Sequence, residues 1–201
     1  MRIIAGSARG RRILSVPKDM PVRPISDRIK QSLFDILRPR LPGSRFLDLF
    51  AGTGAVGLEA LSRGAEAAVF VDGDPRCVKV IERNLDRTGW KARGKVFRAN
   101  ILASLSWVSY RASLEAFDIV FLGPPYKDEQ KRPLQYTQIV VANIAAAGLL
   151  SPDGWIVAQH QKKEAVATPE GLECFRRSKY GDTLVSFFRR AGRARSPLSS
   201  Q

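Results

Sequence analysis

The sequence is poor in cysteine and histidine. Cys77, Cys174 and His160 are the only residues of these two types among 201. Two cysteines are too few for a disulfide scaffold or a zinc site, so we expect neither a structural disulfide nor a bound metal. Because unpaired thiols suit a reducing compartment, the sequence predicts a cytoplasmic protein.

Long apolar runs are also absent. No stretch of about 18 apolar residues is available to span a bilayer. The longest apolar-rich segment, residues 139–150, contains Asn143 and has the length of a buried helix. The opening segment MRIIAGSARGRR does not have the hydrophobic part of a secretory signal. We therefore expect no membrane anchor and no export, and a chain of this length should fold around one main core.

Acidic side chains are scarce at the two ends of the chain. Residues 1–45 hold eleven Lys or Arg against three Asp or Glu, and residues 176–195 hold seven against one. The stretch between them, 46–175, holds fifteen of each. Because the net charge of +14 comes from these two segments, we favour nucleic acid as a partner over a merely solubilising surface.

The middle of the chain alternates short apolar runs with helix-like segments. The strand-like runs are RFLDLF (45–50), AAVFVD (67–72), KVFRAN (95–100), FDIVFL (117–122) and WIVAQH (155–160), and the helix-like segments are 54–63, 75–88, 101–113 and 134–147. This alternation predicts an α/β fold with a mostly parallel sheet covered on both faces. Residues 172–180 and 183–190 predict an antiparallel hairpin at its edge, giving seven strands.

The ends of the chain carry smaller elements. Residues 2–6 and 11–16 flank a turn with Gly and Arg and predict an N-terminal β-hairpin. Ser26 has the position of an N-cap before the amphipathic segment DRIKQSLFDIL. We therefore divide the chain into three parts: a basic hairpin-and-helix extension (1–43), a main domain (44–190) and a basic tail expected to fray (191–201).

A glycine-rich loop follows the first strand. Gly52, Gly54 and Gly57 have the G-x-G-x-x-G spacing with which a backbone approaches a ligand at a helix N-terminus. Asp48 precedes them and would place a negative charge where a pyrophosphate should lie. A ligand with an ammonium group and no phosphate, such as S-adenosylmethionine, suits this loop better than NAD, which stays the weaker alternative.

Polar residues end the next two strands. Asp72 stands 20 residues after Gly52, where it would accept hydrogen bonds from ribose hydroxyls. Asn100 ends the third strand and would meet the adenine edge. Because parallel strands end at the same edge of a sheet, we expect these side chains and Asp48 to converge on one crevice. The alternative is that they merely cap strand ends at the surface.

The turn after the fourth strand reads Gly123-Pro124-Pro125-Tyr126. The prolines have fixed φ and no N–H, so the turn is stiff and presents carbonyl groups. Tyr126 offers a flat face on which an extruded base can lie. The turn is expected to hold an exocyclic amine, whose delocalised lone pair must be aimed at a methyl donor.

These segments together resemble the RsmD-type 16S rRNA guanine-N2 methyltransferases over residues 2 to about 190. The resemblance is carried by RIIAGSARGRRI, VRPISDRIKQSLFDIL, LDLFAGTGAVGLEALSRGA, VFVDGD and FDIVFLGPPY. It implies a Rossmann-like, S-adenosylmethionine-dependent methyltransferase fold for the main domain. The implied substrate is the guanine conventionally numbered 966, in an assembled or assembling 30S subunit, and we expect the enzyme to act as a monomer.

The resemblance also implies roles for particular residues. Cofactor binding is expected from Asp48, Phe50, Ala51, Gly52, Gly54, Asp72, Asn100 and Ile101. Capture of the target amine is expected from Gly123, Pro124, Pro125 and Tyr126. RNA contacts are expected from Arg9, Arg11, Arg12, Arg23 and Arg28.

The chain departs from the family at Gly123, where relatives have Asp or Asn to accept from the target amine. Asp118 is no substitute, because it begins the strand at the far end from the crevice. Two interpretations stay open: the carbonyls of Gly123 and Pro124 suffice, or the protein binds cofactor and RNA without transferring a methyl group. A DNA adenine-N6 methyltransferase is a further alternative. We favour an active enzyme, because losing one acceptor costs about 10²–10³-fold, by analogy with oxyanion holes.

A second departure is Gln159-His160 at the end of the fifth strand, where relatives often have glutamate. The single histidine could contact RNA phosphate or carry a proton, but a lone histidine at a strand end is more often structural.

Overall fold

The computed structural model describes residues 1–16, 25–128 and 130–192. The strands are β1 (Arg45–Leu49), β2 (Ala67–Asp72), β3 (Gly94–Arg98), β4 (Phe117–Leu122), β5 (Leu150–Gln161), β6 (Leu172–Tyr180) and β7 (Thr183–Arg190). The helices are α1 (Asp27–Leu37), α2 (Ala55–Ser62), α3 (Pro75–Thr88), α4 (Trp107–Ala112) and α5 (Tyr136–Ala146), with a 3₁₀ turn (Arg38–Arg40) after α1. Among the helices of these ranges, none has the length and apolar character needed to cross a bilayer.

The strands form one seven-stranded sheet in the order β3-β2-β1-β4-β5-β7-β6. Strands β1 to β5 pair in parallel, and β7 is antiparallel to both β5 and β6. The predicted mostly parallel α/β sheet with an antiparallel C-terminal hairpin is confirmed. The strand order reverses at β1, which lies between β2 and β4, and such switch points are where open α/β sheets bind ligands.

Alternate side chains of the central strands enter two different cores. Phe46 and Phe70 are fully buried in a cluster with residues of α1, α2 and α3. Their neighbours Leu47 and Val69 are buried in a second cluster with residues of α4 and α5. Because both faces of the sheet are covered, the central strands have continuous apolar sequences rather than an alternating pattern.

Several element boundaries differ from the sequence prediction, among them those of α4, β5 and β3. Helix α4 covers only Trp107–Ala112, because residues 101–106 form turns and bends. Strand β5 begins at Leu150, five residues before the predicted start. Strand β3 ends at Arg98, so Asn100 lies beyond the strand rather than at its end.

The N-terminal arm (residues 1–14) folds back on itself as a short hairpin, as the sequence predicts. Arg2 and Arg12 form an antiparallel bridge, and the N–H groups of Ile3 and Ile13 donate to the carbonyls of Arg11 and Met1, at 3.0 and 3.2 Å. The N–H groups of Ile4 and Ala5 donate to the carboxylate of Glu59 on α2, at 2.8 and 3.0 Å. A side chain of the main domain therefore supplies the acceptor for these two backbone donors.

Asn84 on α3 holds the other end of the N-terminal arm. Its Oδ1 accepts from the N–H of Leu14 at 2.7 Å, and its Nδ2 donates to the carbonyls of Leu14 and Thr53, at 3.2 and 3.0 Å. Thr53 belongs to the glycine-rich loop, so one amide joins the arm to that loop. Ser26 caps α1 as predicted, by accepting from the N–H of Ile29 at 3.3 Å.

Candidate active site

The glycine-rich loop after β1 has the tight backbone expected from its sequence. Gly52 and Gly54 have φ of 58° and 76°, in the left-handed region that glycine adopts without strain. Phe50, just before them, has φ of 59°. A Cβ on Gly57 would lie 2.3 Å from the ring of Phe70. The third glycine therefore lets α2 approach β2 closely.

Asp48 lies in the floor of this loop and is 1% exposed. Its Oδ2 accepts from the N–H of Gly57 at 2.9 Å. Burial raises the pKa of the Asp48 carboxyl to about 8, and the charge of Asp72 adds to this, whereas the Gly57 hydrogen bond opposes it. An adjacent cation would favour the ionised form of this carboxyl.

Asp72 ends β2 and holds the loop in place. Its Oδ2 accepts from the N–H of Gly52 at 2.8 Å, and its Oδ1 accepts from the N–H of Asp74 at 2.9 Å. Burial raises the pKa of Asp72, while these two donors act in the opposite direction. The carboxylate therefore orders the backbone between β1 and α2, beside the switch point of the sheet.

The turn after β4 begins at Gly123, whose φ lies outside the left-handed region. A Cβ built there would lie 3.3 and 3.4 Å from two ring atoms of Phe121. A small shift of that ring would accommodate a side chain, so neither the backbone nor the available space requires glycine. Asp118 lies at the opposite end of β4, as expected, where it accepts from the N–H of Arg45 at 2.8 Å.

Tyr126 is tied to the strands beside the turn. Its Oη accepts from Nε2 of Gln159 on β5 at 3.1 Å and lies 3.4 Å from Oγ1 of Thr183 on β7. Its carbonyl accepts from the N–H of Leu134 at 3.0 Å. The aromatic side chain is therefore positioned by contacts at both its hydroxyl and its backbone.

A single cavity joins the glycine-rich loop to the turn after β4. Its lining residues are Ile25, Asp48, Phe50, Ala51, Gly52, Thr53, Ala55, Val56, Phe121, Gly123 and Gln159. The structure thus brings together predicted residues from both segments, namely Asp48, Phe50, Ala51, Gly52 and Gly123. Asp72 adjoins them through its hydrogen bond to Gly52.

Other predicted site residues do not line this cavity. Asn100 is exposed, and its Oδ1 accepts from the N–H of Leu102 at 3.0 Å. Ile101 is 3% exposed and packs in the core beside α4 and α5. The remaining predicted residues outside the lining are Gly54, Pro124, Pro125 and Tyr126.

The family model described as "Conserved hypothetical protein 95" matches residues 1–189. Ribosomal RNA small subunit methyltransferase D of Haemophilus influenzae is 30% identical over 187 residues, which cover 93% of this chain and 91% of that one. The chain belongs to the RsmD-type family. The resemblance that the sequence motifs indicated is confirmed.

Two further relatives agree over nearly the whole chain. YlbH of Bacillus subtilis (strain 168) is 35% identical over 193 residues, which cover 96% of this chain and 100% of that one. A solved structure of a hypothetical protein of a Thermus species has a TM-score of 0.74 at 34% identity and covers 94% of this chain and 99% of that one. The RsmD-type chain therefore has the Rossmann-like fold expected for it.

The basic residues predicted to contact RNA lie largely at the surface. Arg9, Arg11, Arg12 and Arg28 are exposed. Arg11 donates from Nη1 to the carbonyl of Arg87 at the end of α3, at 3.1 Å. Arg23 lies outside the residues that the structure describes.

The single histidine is buried, and both of its ring nitrogens have partners. His160 is 2% exposed, with Nε2 at 2.8 Å from Oγ of Ser186 and Nδ1 at 3.0 Å from the carbonyl of Gln161. Burial lowers the pKa of His160, and both ring nitrogens already have partners within the sheet. Within residues 1–16, 25–128 and 130–192, no cluster of three or more His, Cys, Asp or Glu could hold a metal ion.

Sequence reasoning missed several residues that line the cavity. Gln159 stood out only as a departure from the family, and nothing local in the sequence marked its side chain as facing Gly123. Ile25 lies before α1 in the segment VRPISDRIKQSLFDIL, but the sequence assigned it no place at the cofactor or the turn. Both reach the cavity through tertiary packing, which a local pattern does not encode.

Proposed function

We propose that this protein is an S-adenosylmethionine-dependent rRNA methyltransferase acting on the exocyclic N2 of a guanine in 16S rRNA, the nucleotide conventionally numbered 966. The observation that carries the proposal is the single cavity shared by Asp48, Gly52 and Gly123 in a chain of the RsmD-type family. Methyl transfer requires the donor and the attacking nitrogen to meet in near-attack contact, and one shared cavity permits this.

The loop side of the cavity suits S-adenosylmethionine, which supplies a methyl group on a sulfonium when bound. Asp48 offers a buried carboxylate as counter-charge for the ammonium of its methionine end. Gly52 and Asp72 would lie against the ribose, with Asn100 and Ile101 near the adenine. A buried Asp48 carboxylate beside a pyrophosphate would be repulsive, which argues against NAD.

The turn side of the cavity suits a flipped base. The carbonyls of Gly123 and Pro124 would accept from the exocyclic amine, and Tyr126 would lie against the ring. The work of these groups is to hold the amine so that its lone pair faces the methyl group. Precise orientation of this kind accounts for a large share of rate enhancement in group transfer.

The basic ends of the chain would hold the RNA. The exposed Arg9, Arg12 and Arg28 belong to the extension formed by residues 1–43. We propose that this extension and the tail (191–201) neutralise rRNA phosphates while residues 44–190 perform catalysis. The enzyme would act in the cytoplasm, as a monomer, on the 30S subunit or its precursor.

The test is methyl transfer from labelled S-adenosylmethionine to 30S particles that lack the modification, followed by mapping of the labelled nucleoside. We expect label on a single guanine as its N2-methyl form. The same assay is run on unmethylated DNA, where label on adenine would instead identify an adenine-N6 enzyme. Tight binding of S-adenosylhomocysteine with no transfer to any of these substrates would identify a non-catalytic RNA-binding or ribosome-assembly protein.

A further inference from the structure

The side-chain amide of Gln159 has one unused group at the cavity. Among the described residues, its Oε1 is the only buried side-chain nitrogen or oxygen without a hydrogen-bond partner. Buried polar atoms are nearly always paired in folded proteins, and an exception calls for a functional or structural reason. Gln159 also lines the cavity that holds Asp48 and Gly123. The unpaired oxygen therefore belongs to a residue of the proposed active site.

The nitrogen of the same amide is already engaged. Nε2 donates to Oη of Tyr126 at 3.1 Å, and that hydroxyl lies 3.4 Å from Oγ1 of Thr183, to which it can donate in turn. This chain of contacts runs from β5 to β7. With Nε2 engaged in it, Oε1 is the acceptor that remains available.

The position of Gln159 beside the turn follows from strand register. Leu122 on β4 pairs with Ala158 on β5. The next residue on each strand is Gly123 and Gln159, so the two lie side by side at the carboxyl edge of the sheet. The resemblance to the RsmD-type family implies a side-chain acceptor at the first of these positions, and this chain has its unpaired acceptor at the second.

We propose that Oε1 of Gln159 accepts a hydrogen bond from the target amine, in place of the Asp or Asn that Gly123 replaces. This inference rests on the proposed function. The amine would supply the missing partner of a buried oxygen, and the oxygen would restrain the amine where a side chain at position 123 otherwise would. The acceptor is a neutral amide, so it adds no second negative charge near Asp48.

The transfer step needs no base among these residues. The lone pair of the amine nitrogen forms the new N–C bond, and the C–S bond breaks with its electron pair passing to sulfur. The positive charge moves from sulfur to nitrogen, which then loses one proton to water. Gln159 would hold an N–H of the amine through a hydrogen bond. This contact would turn the lone pair of the amine nitrogen toward the cavity wall formed by the glycine-rich loop.

Gln159→Met tests this role, because methionine has a similar length and no strong acceptor. We expect kcat for methyl transfer to 30S particles to fall about 10²-fold, comparable to the loss of one well-placed polar group at an active site. KM for S-adenosylmethionine and the calorimetric affinity for S-adenosylhomocysteine should stay within about twofold, which also verifies folding. Gln161→Met, two residues further along β5, is the matched control and should retain wild-type kcat.

Two further variants separate acceptance from mere positioning of Tyr126. Gln159→Glu keeps an acceptor oxygen and should lose less than about tenfold in kcat. Gly123→Asp in the Gln159→Met background should restore most of the lost kcat, because it returns the acceptor of the family. Such coupling between neighbours is what a double-mutant cycle measures.

The outcomes distinguish this inference from the proposed function. Equal kcat for Gln159→Met and Gln161→Met, in an active wild type, would overturn the role of Gln159 and leave the function standing. A loss that neither Gln159→Glu nor Gly123→Asp reduces would also overturn it, in favour of a positioning role toward Tyr126. A wild-type protein that methylates no guanine would overturn the function itself, and the inference with it.

Discussion

Asp48 shows how a single residue meets two opposing demands. Its carboxyl is 1% exposed, and burial raises its pKa to about 8. The proposed cofactor requires the ionised form of the same group as a counter-charge. Burying this charge therefore costs free energy in the unliganded protein, and a bound cation lowers that cost. Such a conflict between function and stability is common at binding sites.

Asp48→Asn should weaken cofactor binding because it removes that counter-charge. A hydrogen bond to a charged group contributes about 1.5–3 kcal/mol, so we expect an affinity loss of about 10–100-fold for S-adenosylhomocysteine by calorimetry. Asp86→Asn, on the surface of α3, is the control. An unchanged affinity in Asp48→Asn would exclude Asp48 from the binding site.

The same substitution predicts a pH dependence of stability. The folded-state pKa of Asp48 lies above its unfolded value, so the folded protein binds the extra proton and is stabilised at low pH. The unfolding free energy of the unliganded wild type, relative to Asp48→Asn, should fall as pH rises from about 5 to 8, by up to about 1.4 kcal/mol per pH unit. It should level off above about pH 8. Urea denaturation of both proteins across this pH range measures the difference in unfolding free energy. A difference that does not change with pH would show that folding does not raise the pKa of Asp48.

Gly123→Asp in the wild-type background should fold and keep or raise methyl transfer. The backbone at Gly123 accommodates a side chain, and only the ring of Phe121, at 3.3 Å from where a Cβ would stand, must move slightly. We expect the melting temperature to change by less than about 4 °C, equivalent to about 1 kcal/mol for a chain of this size. A sharp fall in kcat with a normal melting temperature would show that the site has been rebuilt around glycine.

At the scale of elements, side chains of the helices hold the N-terminal arm against the main domain. Glu59 on α2 is fully buried and lies 2.8 Å from Nε of Arg63 and 3.7 Å from Nζ of Lys30. Lys30 is itself 1% exposed, and burial lowers its pKa while Glu59 opposes that effect. Because the arm also reaches the glycine-rich loop through Asn84, its attachment bears on the cofactor side of the cavity.

Glu59→Ala should destabilise the protein strongly. It would leave Lys30 buried without its main partner and the N–H groups of Ile4 and Ala5 without their acceptor. Breaking a buried pair in this way costs about 3–5 kcal/mol. Urea denaturation measures the loss, and Glu66→Ala, on an exposed residue before β2, should cost less than about 0.5 kcal/mol. Equal losses of unfolding free energy in Glu59→Ala and Glu66→Ala would show that Glu59 does not hold Lys30 and the N-terminal arm in place.

At the scale of the whole molecule, the basic segments and most of the cavity lining come from different parts of the chain. The basic residues are concentrated in the two ends of the chain, while residues 46–175 are balanced. Neutralising a phosphate releases counterions, so the affinity for RNA should depend on salt in proportion to the number of contacts made by these ends. The proposed cofactor site can then lie in the segment 46–175, which carries no net charge, within a strongly basic protein.

The double variant Arg9→Ala/Arg12→Ala should weaken RNA binding through this term. Each lost phosphate contact lowers the slope of log affinity against log salt by about 0.7–0.9, so we expect a reduction of about 1.4–1.8. Titration of 16S rRNA at several salt concentrations measures the slope. Lys79→Ala, an exposed lysine of α3 in the balanced segment, should leave it unchanged. An unaltered slope in the double variant would place the RNA elsewhere.

Much of the architecture was predictable from local sequence. The strands β2, β4, β6 and β7 and the helices α1 and α3 have the predicted bounds. Each is a run whose apolar pattern and end residues are set by neighbours a few positions away, such as Ser26 at the start of α1. Asp48, Gly52 and Gly123 were predictable as one site, because parallel strands direct their carboxyl ends to the same edge.

Only the tertiary structure decided how that edge is completed. The N-terminal arm is attached to the main domain because the carboxylate of Glu59, more than 50 residues away, accepts from the N–H groups of Ile4 and Ala5. Gln159, whose Oε1 is unpaired, lines the cavity because the register of β4 and β5 sets this residue beside Gly123. By itself, the sequence determined the elements and the edge at which they end, since these depend on local periodicity. The partners of individual polar groups depend on contacts between distant segments, and those exist only once the chain has folded.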